Sequence, residues 1–366
     1  MVHQAQGQLV QELAAGGLQA PPTRYVLREK DRPTGGGGGV APKLDFPTVD
    51  VRRLVESGDA DDEAAKLRAA LDSWGLFAVT GHGIPEALLD GIREASREFF
   101  HLPSSEKLKH ANRTDDGEFQ IEGYGIDRVD TDEQILDWCD RLYLQVQPED
   151  ARQLKLWPDH PPSLAKLLHE YTLASDEVAR RVLRAMARLL GFDDGFFLEQ
   201  VGERGATYAR LNYYPSCPRA DLVHGLKPHT DNSVVTTLLL DRDVGGLQVL
   251  CGDGRWVDVP LLGHDRLVVV VGDLMEIMSN AVFRAPTHRV VTGDRERMSL
   301  VMFRMSSPRL AHAPAFAEPP WLEKRRSRQV EEAGSHVAGS GAARSRSLGR
   351  ETRRHEIQRR AKRGGK

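Results

Sequence analysis

The spacing of apolar and polar residues divides the chain into a mainly helical first half and a β-rich second half. Apolar residues that recur every three or four positions predict helices over 7–16, 64–74, 85–100 and 163–190. A short strand is predicted over 76–79. Beyond residue 207 the apolar segments shorten and are separated by turn residues, which predicts strands over 208–214, 234–240, 247–250, 256–259, 267–271, 289–292 and 298–304. Seven short strands without intervening helices are typical of an antiparallel sandwich or jelly roll.

Composition suggests where the parts of the chain begin and end. The glycine run 35–39 predicts a flexible joint. We therefore expect a flexible segment with one short helix over 1–43 and a mainly helical region over 44–200. The β core is expected over 201–304. Residues 305–366 have almost no apolar periodicity, so we expect a disordered tail there.

The tail also changes the meaning of the net charge. The chain carries −3 overall, but residues 321–366 hold 14 basic and 5 acidic residues and carry +9, which leaves −12 on residues 1–320. One explanation is a basic arm that binds nucleic acid or an anionic membrane. The other, which we favour, is a gene-model artefact, because the tail has no aromatic spacing suited to base stacking.

Several classes of protein are excluded by composition. The chain is 40% hydrophobic and 28% charged, as soluble proteins are, and no apolar run approaches the roughly 20 residues that span a bilayer. The three cysteines, Cys139, Cys217 and Cys251, form no CxxC pair, which argues against disulfides and structural zinc. We expect a monomer in the cytoplasm or nucleus that binds neither nucleic acid nor membrane.

A candidate metal site stands out among the 13 histidines. His229 and Asp231 are two residues apart, so on a strand their side chains would share one face. His288 follows 57 residues after Asp231. Two histidines and one carboxylate form a facial triad that suits iron(II) and leaves coordination positions open for a co-substrate and dioxygen.

A candidate carboxylate site follows the third histidine. Arg297 and Ser299 are again two apart on a predicted strand, and a guanidinium beside a hydroxyl suits a terminal carboxylate. Asn212 and Tyr214 offer an amide and a phenol on a neighbouring strand.

These motifs together resemble those of the plant Fe(II)- and 2-oxoglutarate-dependent dioxygenases. The resemblance covers residues 45–304, and its motifs are LDSWGLFAVTGHGIP at 71–85, NYYPSCP at 212–218, PHTDNS at 228–233, GGLQVL at 245–250 and HRV…RERMS over 288–299. The resemblance implies an α+β fold with a mainly β core, a double-stranded β-helix (jelly roll) flanked by N-terminal helices. It also implies that 2-oxoglutarate is converted to succinate and CO2 while an organic substrate is hydroxylated or O- or N-demethylated.

The family roles transfer to particular residues of this chain. The resemblance implies that His229, Asp231 and His288 bind iron and that Arg297 and Ser299 hold the distal carboxylate of 2-oxoglutarate. It implies that Asn212 and Tyr214 support that co-substrate. The cofactors implied are Fe(II), 2-oxoglutarate and O2, with ascorbate as a candidate reductant.

Three further stretches, at 25–31, 119–125 and 134–138, resemble a grass subgroup that contains triketone-herbicide-inactivating oxygenases and is similar to melatonin hydroxylases. It lies near the jasmonate-induced and codeine-demethylase-like branch. The subgroup suggests a small, flat, partly aromatic substrate, either a specialised metabolite, a hormone or a xenobiotic. The candidate substrate residues are Phe119, Tyr124, Arg210 and Phe303. We interpret Asp127, Asp130, Asp132 and Asp140 as solvated charges.

Two other functions stay open at this level. The family pattern ends after Phe303, where a segment that closes over the substrate is expected, so the chain could be an inactive or binding-only protein of this fold. A zinc hydrolase would also use two histidines and an aspartate. That reading lacks a nearby glutamate base and leaves Arg297 and Ser299 unexplained.

Overall fold

The computed structural model describes residues 9–33, 45–55, 60–113 and 117–306. The predicted glycine joint at 35–39 and all but the first two residues of the predicted tail lie outside this part of the chain. The helices of the described residues are α1 (Val10–Ala15), α2 (Ala60–Ser73), α3 (Glu86–His101), α4 (Ser104–Lys107), α5 (Leu164–Leu189), α6 (Phe196–Val201) and α7 (Asp273–Met278). The strands are β1 (Thr48–Asp50), β2 (Leu76–Thr80), β3 (Gly123–Gly125), β4 (Asp140–Gln147), β5 (Thr207–Tyr214), β6 (Leu226–His229), β7 (Val235–Leu240), β8 (Leu247–Leu250), β9 (Trp256–Asp258), β10 (Leu267–Val271), β11 (His288–Val290) and β12 (Arg297–Arg304).

Two sheets form the β core. The larger has eight strands in the order β1-β2-β10-β7-β12-β5-β4-β3, and the smaller has the order β6-β11-β8-β9. Among the paired strands of the described residues, β1 with β2 is the parallel pair and the others are antiparallel. Strand β10 reads Leu-Val-Val-Val-Val and is buried throughout, because it lies between β2 and β7 with both faces covered. The predicted α+β fold with a jelly-roll core is confirmed.

The hydrophobic core lies between the sheets and under the helices. Apolar side chains of the small sheet pack with those of the large sheet, with Leu247, Val249 and Val290 on one side and Leu238, Val270 and Val301 on the other. The long helix α5 contacts α3, β7 and β12. Its buried residues follow helical spacing, so one face of the helix supports the large sheet.

The register of β12 against β5 positions the interior side chains. Arg297 pairs with Tyr214, and Ser299 pairs with Asn212. Because side chains alternate along a strand, every second residue of each strand faces the space between the sheets. The polar residues of β5 and β12 therefore meet on the same face.

The N-terminal region contains more β structure than the apolar spacing predicts. Residues 44–200 supply β1, β3 and β4 to the large sheet besides the predicted β2. Strand β4 was missed although Leu142, Leu144 and Val146 alternate with less buried residues over its length. Strand β11 also begins at His288 rather than at Arg289.

The interpretation of Asp140 as a solvated charge is wrong. Its side chain is fully buried, and its two carboxylate oxygens accept hydrogen bonds from the amides of Val10 (2.8 Å) and Gln11 (2.9 Å) at the start of α1. Lys107 extends this buried network, since its Nζ donates to Gln11 Oε1 at 2.7 Å. Asp140 thus anchors the N-terminal segment to the sheet. Asp130 and Asp132 are exposed, as predicted.

None of the helices in the described ranges combines the length and the apolar character that a membrane span requires. The three cysteines are free thiols; Cys139 and Cys217 are buried and Cys251 is half-buried.

The buried carboxyl of Asp140 generates a prediction about stability. Its pKa is raised to about 6, chiefly by burial, although the amides of Gln11 and Val10 act to lower it. The folded protein therefore binds this proton more tightly than the unfolded chain, and the contribution of Asp140 to the free energy of unfolding falls as the pH rises from 4 to about 7. The free energy of unfolding of wild type should therefore fall by about 3 kcal/mol relative to that of Asp140→Asn between pH 4 and about pH 7. Urea unfolding at several pH values measures this difference. Asp130→Asn, an exposed change in the same region, is the control, and parallel pH profiles for wild type and Asp140→Asn would contradict the prediction.

Candidate active site

A cavity of about 900 Å³ lies between the two sheets, and the segments before and after β3 form part of its wall. It collects the candidate residues from distant parts of the chain. The lining residues that matter here are His229, Asp231, His288, Asn212, Tyr214, Arg297, Ser299, Phe119, Arg210 and Phe303.

The two histidines and the aspartate meet at one end of this cavity. One ligand atom from each of His229, Asp231 and His288 lies within 4.8 Å of the others. His229 ends β6 and pairs directly with His288 on β11, and their ring centroids are 4.3 Å apart. The sequence predicts His229 and Asp231 on one strand, but β6 ends at His229, and Asp231 lies two residues beyond its end. Its Oδ1 still lies 3.6 Å from His229 Nε2 and 3.5 Å from His288 Nε2.

The backbone orients both imidazole rings. His229 Nδ1 lies 2.8 Å from the carbonyl oxygen of Lys227, and His288 Nδ1 lies 3.1 Å from that of Pro286. A carbonyl can only accept, so each Nδ1 carries a proton, and Nε2 is the nitrogen of each ring that is left to bind a metal beside Asp231. This is the outer-shell arrangement that orients histidine ligands of metals.

Electrostatics favour the metal-ligand form of His288 and Asp231. Burial acts to lower the pKa of His229, but its contacts with Asp231 outweigh burial and raise that pKa above its ordinary value. Burial is the main cause of the lowered pKa of His288, partly opposed by Asp231, so this imidazole is neutral at pH 7. Burial acts to raise the pKa of Asp231, but its contacts with the two histidines outweigh burial and bring the pKa below its ordinary value. Two neutral or weakly basic imidazoles and a carboxylate fit a divalent first-row metal with open positions.

The polar residues of β5 and β12 form a second group in the cavity. Arg297, Ser299, Asn212 and Tyr214 are all less than one-tenth exposed. Asn212 Nδ2 donates to Ser299 Oγ at 3.3 Å, and the guanidinium carbon of Arg297 lies 5.1 Å from the centre of the Tyr214 ring. Arg297 Nε and Nη1 are buried and donate to no group among the described residues.

Arg297 is the cation of the cavity that lacks a carboxylate in the described structure. The other cations that line it are paired, Arg128 with Asp130, Arg141 and Arg210 with Asp127, and Lys227 with Asp137. A buried charge without a counter-charge is costly, so the unpaired guanidinium indicates that the cavity accepts an anion at this position. A terminal carboxylate of 2-oxoglutarate fits this requirement.

The candidate substrate residues divide into three that line the cavity and one that does not. Phe119, Arg210 and Phe303 line it. The prediction that Tyr124 lines the cavity is wrong. Its ring packs edge-on against Phe99 of α3, with centroids 5.7 Å apart, and its hydroxyl donates to Gln11 Oε1 at 3.1 Å, so Tyr124 belongs to the buried network around Asp140.

The sequence reasoning also missed residues of the cavity wall. Tyr143 stacks on Tyr208 with centroids 5.4 Å apart, and Phe303 lies 6.2 Å from Tyr143. Arg141 lies 5.9 Å from the Phe119 ring and 5.4 Å from the Tyr143 ring. The alternation Leu142, Leu144, Val146 along β4 was the available signal, because it places Arg141 and Tyr143 on the face opposite the apolar core.

Asp127 is partly solvated, with 40% of its side chain exposed, but it is also ion-paired. Its carboxylate accepts hydrogen bonds from Arg210 Nη1 at 2.9 Å, Arg210 Nη2 at 2.8 Å and Arg141 Nε at 3.2 Å. Burial acts to raise the pKa of Asp127, but the two guanidinium groups outweigh it and hold the pKa well below its usual range. Asp127 is therefore an anion that two cavity arginines share.

Two family models match the chain. Residues 46–160 match the N-terminal model described as non-haem dioxygenase in morphine synthesis, and residues 207–306 match that of the 2OG-Fe(II) oxygenase superfamily. Jasmonate-induced oxygenase 2 of Arabidopsis thaliana is 36% identical over 300 residues, which cover 80% of this chain and 78% of that protein. The chain belongs to the 2OG-Fe(II) oxygenase superfamily.

Further members of this superfamily show the same likeness. Codeine O-demethylase of Papaver somniferum is 33% identical over 300 residues, covering 81% of this chain and 82% of that one. A crystal structure of JOX2 in complex with 2OG, Fe and JA has a TM-score of 0.74 and 32% identity, covering 84% of this chain and 86% of the other. As a 2OG-Fe(II) oxygenase, the protein is a dioxygenase that uses Fe(II), 2-oxoglutarate and O2. When bound, the iron activates dioxygen as 2-oxoglutarate is oxidised to succinate and CO2.

The triad geometry predicts that iron binding depends on His229. We expect His229→Ala to weaken Fe(II) binding at least 100-fold, because even the outer-shell partners of a metal ligand are commonly worth 10- to 100-fold in affinity. Anaerobic titration with Fe(II) measures the effect. His264→Ala, an exposed histidine outside the cavity, should bind iron as wild type does. Unchanged iron affinity in His229→Ala would contradict the ligand assignment.

Proposed function

We propose that this 2OG-Fe(II) oxygenase hydroxylates or O- or N-demethylates a small, flat, partly aromatic organic molecule. In this proposal His229, Asp231 and His288 bind the iron, and Arg297 and Ser299 bind the distal carboxylate of 2-oxoglutarate. Asn212 and Tyr214 support the co-substrate. The observation that carries the proposal is the buried Arg297, which has no carboxylate partner among the described residues and lies in the cavity that also holds the triad.

In this proposal the triad and the pair Arg297 and Ser299 bind opposite ends of the co-substrate. The triad supplies two nitrogens and one carboxylate oxygen from the small sheet and the loop that follows β6. Arg297 and Ser299 supply donors from the large sheet opposite. A molecule with a carboxylate at one end and a 2-oxo acid at the other would be held at both ends, which fixes its orientation before the organic substrate enters.

The aromatic wall supports the proposed substrate class. Tyr143 stacks on Tyr208, and Phe303 lies at a tilt against Tyr143, so the three rings form one aromatic cluster on the large sheet. Phe119 and Arg141 extend this cluster along the cavity wall. Flat conjugated molecules gain from stacking on such a wall and from the dry surface that it provides. Indoleamines such as melatonin and triketone-type compounds are the candidates that the subgroup resemblance adds.

The proposed function is tested by succinate release from the iron-loaded protein. Indoleamines, triketones, flavonoids and gibberellin precursors are offered in turn with 2-oxoglutarate. We expect at least one class to stimulate succinate formation, with dependence on both Fe(II) and 2-oxoglutarate. A protein that binds 2-oxoglutarate but forms no succinate with any class would favour the binding-only alternative.

Arg297 is expected to select the co-substrate by its distal carboxylate. Arg297→Gln removes a charge-assisted hydrogen-bonding pair worth about 1.5–3 kcal/mol, so the KM for 2-oxoglutarate should rise about 10- to 100-fold. Steady-state succinate formation measures this KM. Arg295→Gln, an exposed arginine two residues earlier, should leave it unchanged. Equal KM values for the Arg297 variant and wild type would remove the basis of the assignment.

Phe303 is expected to act on the organic substrate alone. Phe303→Ala removes one ring from the aromatic cluster, and aromatic pairs are worth about 0.5–1.5 kcal/mol, so the KM of an aromatic substrate should rise up to about tenfold. The KM for 2-oxoglutarate should not change. Phe192→Ala, whose ring packs outside the cavity against Phe196, is the control. A parallel rise in both KM values for Phe303→Ala would show a general loss of structure instead.

A further inference from the structure

Asp127 lies in the wall of the cavity, on the loop after β3, and its carboxylate fixes the plane of the Arg210 guanidinium. Both of its oxygens receive a terminal nitrogen of that guanidinium, at 2.9 and 2.8 Å, while Arg141 Nε donates to Oδ1 from the side. A bidentate pair of this kind restricts the orientation of the guanidinium more than a single contact does.

The fixed plane directs the remaining nitrogen of Arg210 toward Asn212. Arg210 Nε donates to Asn212 Oδ1 at 2.6 Å, and the two residues lie on one face of β5 because they are two apart. Arginine has only donors, so the amide must present its oxygen to Arg210. The amide nitrogen of Asn212 then points the other way.

That nitrogen meets Ser299, the cross-strand partner of Asn212. Asn212 Nδ2 donates to Ser299 Oγ at 3.3 Å. A serine hydroxyl has one proton, and here its oxygen already accepts. Its proton can therefore be donated either to the Tyr214 phenol, with which Ser299 interacts, or toward the space beside Arg297, where the unpartnered Nε and Nη1 of that residue lie.

We propose that Asp127 is a positioning residue for 2-oxoglutarate, which acts through Arg210 and Asn212 to keep the Ser299 hydroxyl a donor to the distal carboxylate. The inference rests on the proposed function, since it takes Arg297 and Ser299 as the carboxylate site. It adds a residue that belongs neither to the metal triad nor to the proposed carboxylate site.

The chemistry of the amide explains why the carboxylate of Asp127 is needed. Without it, Arg210 loses both terminal contacts and is free to rotate, so Asn212 can turn its oxygen toward Ser299. Ser299 would then donate to Asn212, and its lone pairs would face the carboxylate of the co-substrate. Two acceptors would face each other, and the affinity for the distal carboxylate would fall.

The experiment measures ligand binding rather than turnover. Calorimetry of the Fe(II)-loaded, oxygen-free protein gives the Kd of 2-oxoglutarate and that of 2-oxobutyrate, which keeps the 2-oxo acid but lacks the distal carboxylate. We expect Asp127→Asn to weaken 2-oxoglutarate binding about tenfold, a size typical of outer-shell partners, and to leave 2-oxobutyrate binding unchanged. Asp130→Asn, on the same loop and exposed, should bind both as wild type does.

A double variant tests the route of the effect. If Asp127 acts through Asn212, the losses in Asp127→Asn and Asn212→Ala should not add in the combined variant, because both break the same chain of hydrogen bonds. Should Asp127→Asn fail to fold, Arg210→Lys breaks the next link, since an ammonium cannot hold Asp127 and Asn212 in one plane. The same selective loss of 2-oxoglutarate binding is then expected.

The possible failures are distinguishable. Wild-type affinity for 2-oxoglutarate in Asp127→Asn, an equal loss for both ligands, or additive losses in the double variant would each overturn the inference and leave the proposed function standing. No binding of 2-oxoglutarate by the iron-loaded wild-type protein would overturn the proposed function and the inference together.

Discussion

The antiparallel pairing of β12 with β5 is the constraint on which the cavity depends. Its register sets Arg297 opposite Tyr214 and Ser299 opposite Asn212, and the same alternation continues to Phe303 opposite Tyr208. A shift by one residue would turn the polar row toward the helices and bring Met298, Leu300 and Met302 into the cavity. The apolar alternation of β12 and the burial of its other face against α3 and α5 therefore fix the position of the polar row.

The small sheet adds the second half of the site by the same means. The pairing of His288 with His229 brings two residues 59 positions apart within contact, and the end of β6 leaves Asp231 free to turn back toward them. The sheets are held together by an apolar core, so the charges between them must be balanced locally. Within the described ranges, each cavity cation named above has a carboxylate partner except Arg297. The unpaired charge is thus a property of the fold that a dianionic co-substrate would satisfy.

The parts of the site that the sequence predicted are those set by short spacing. Residues two apart on a strand share a face whatever the rest of the fold does, which is why Arg297 and Ser299 could be predicted as a pair. His229 and Asp231 are also two apart, but Asp231 lies beyond the end of β6, and His288 joins them through the pairing of β11 with β6. Tyr124 and Asp127 could not. An aromatic residue after a glycine gives no sign of which face of an edge strand it occupies, and Tyr124 faces α3. The partner of a buried arginine is set by tertiary contacts, so Arg210 implied a carboxylate without indicating that Asp127 supplies it.

The residues proposed for the reaction and those proposed for the substrate differ in the same way. The triad and the carboxylate site lie on paired strands, where register leaves little freedom, whereas Phe119 and Asp127 lie on the segments that flank β3. Arg141 and Tyr143 lie on β4, next to β5. The guanidinium of Arg141 contacts both flanking segments, since it packs on the Phe119 ring and donates to Asp127. Changes there would reshape the mouth of the cavity without disturbing the register of β5 and β12. Asp127 is the point where the two regions meet, because it lies on the loop after β3 and yet hydrogen-bonds to Arg210 of β5, a strand of the pair that carries the carboxylate site. An organic substrate that displaced the Asp127 carboxylate would also alter the 2-oxoglutarate site. The residues of the cavity wall would then affect the binding of the co-substrate as well as that of the substrate.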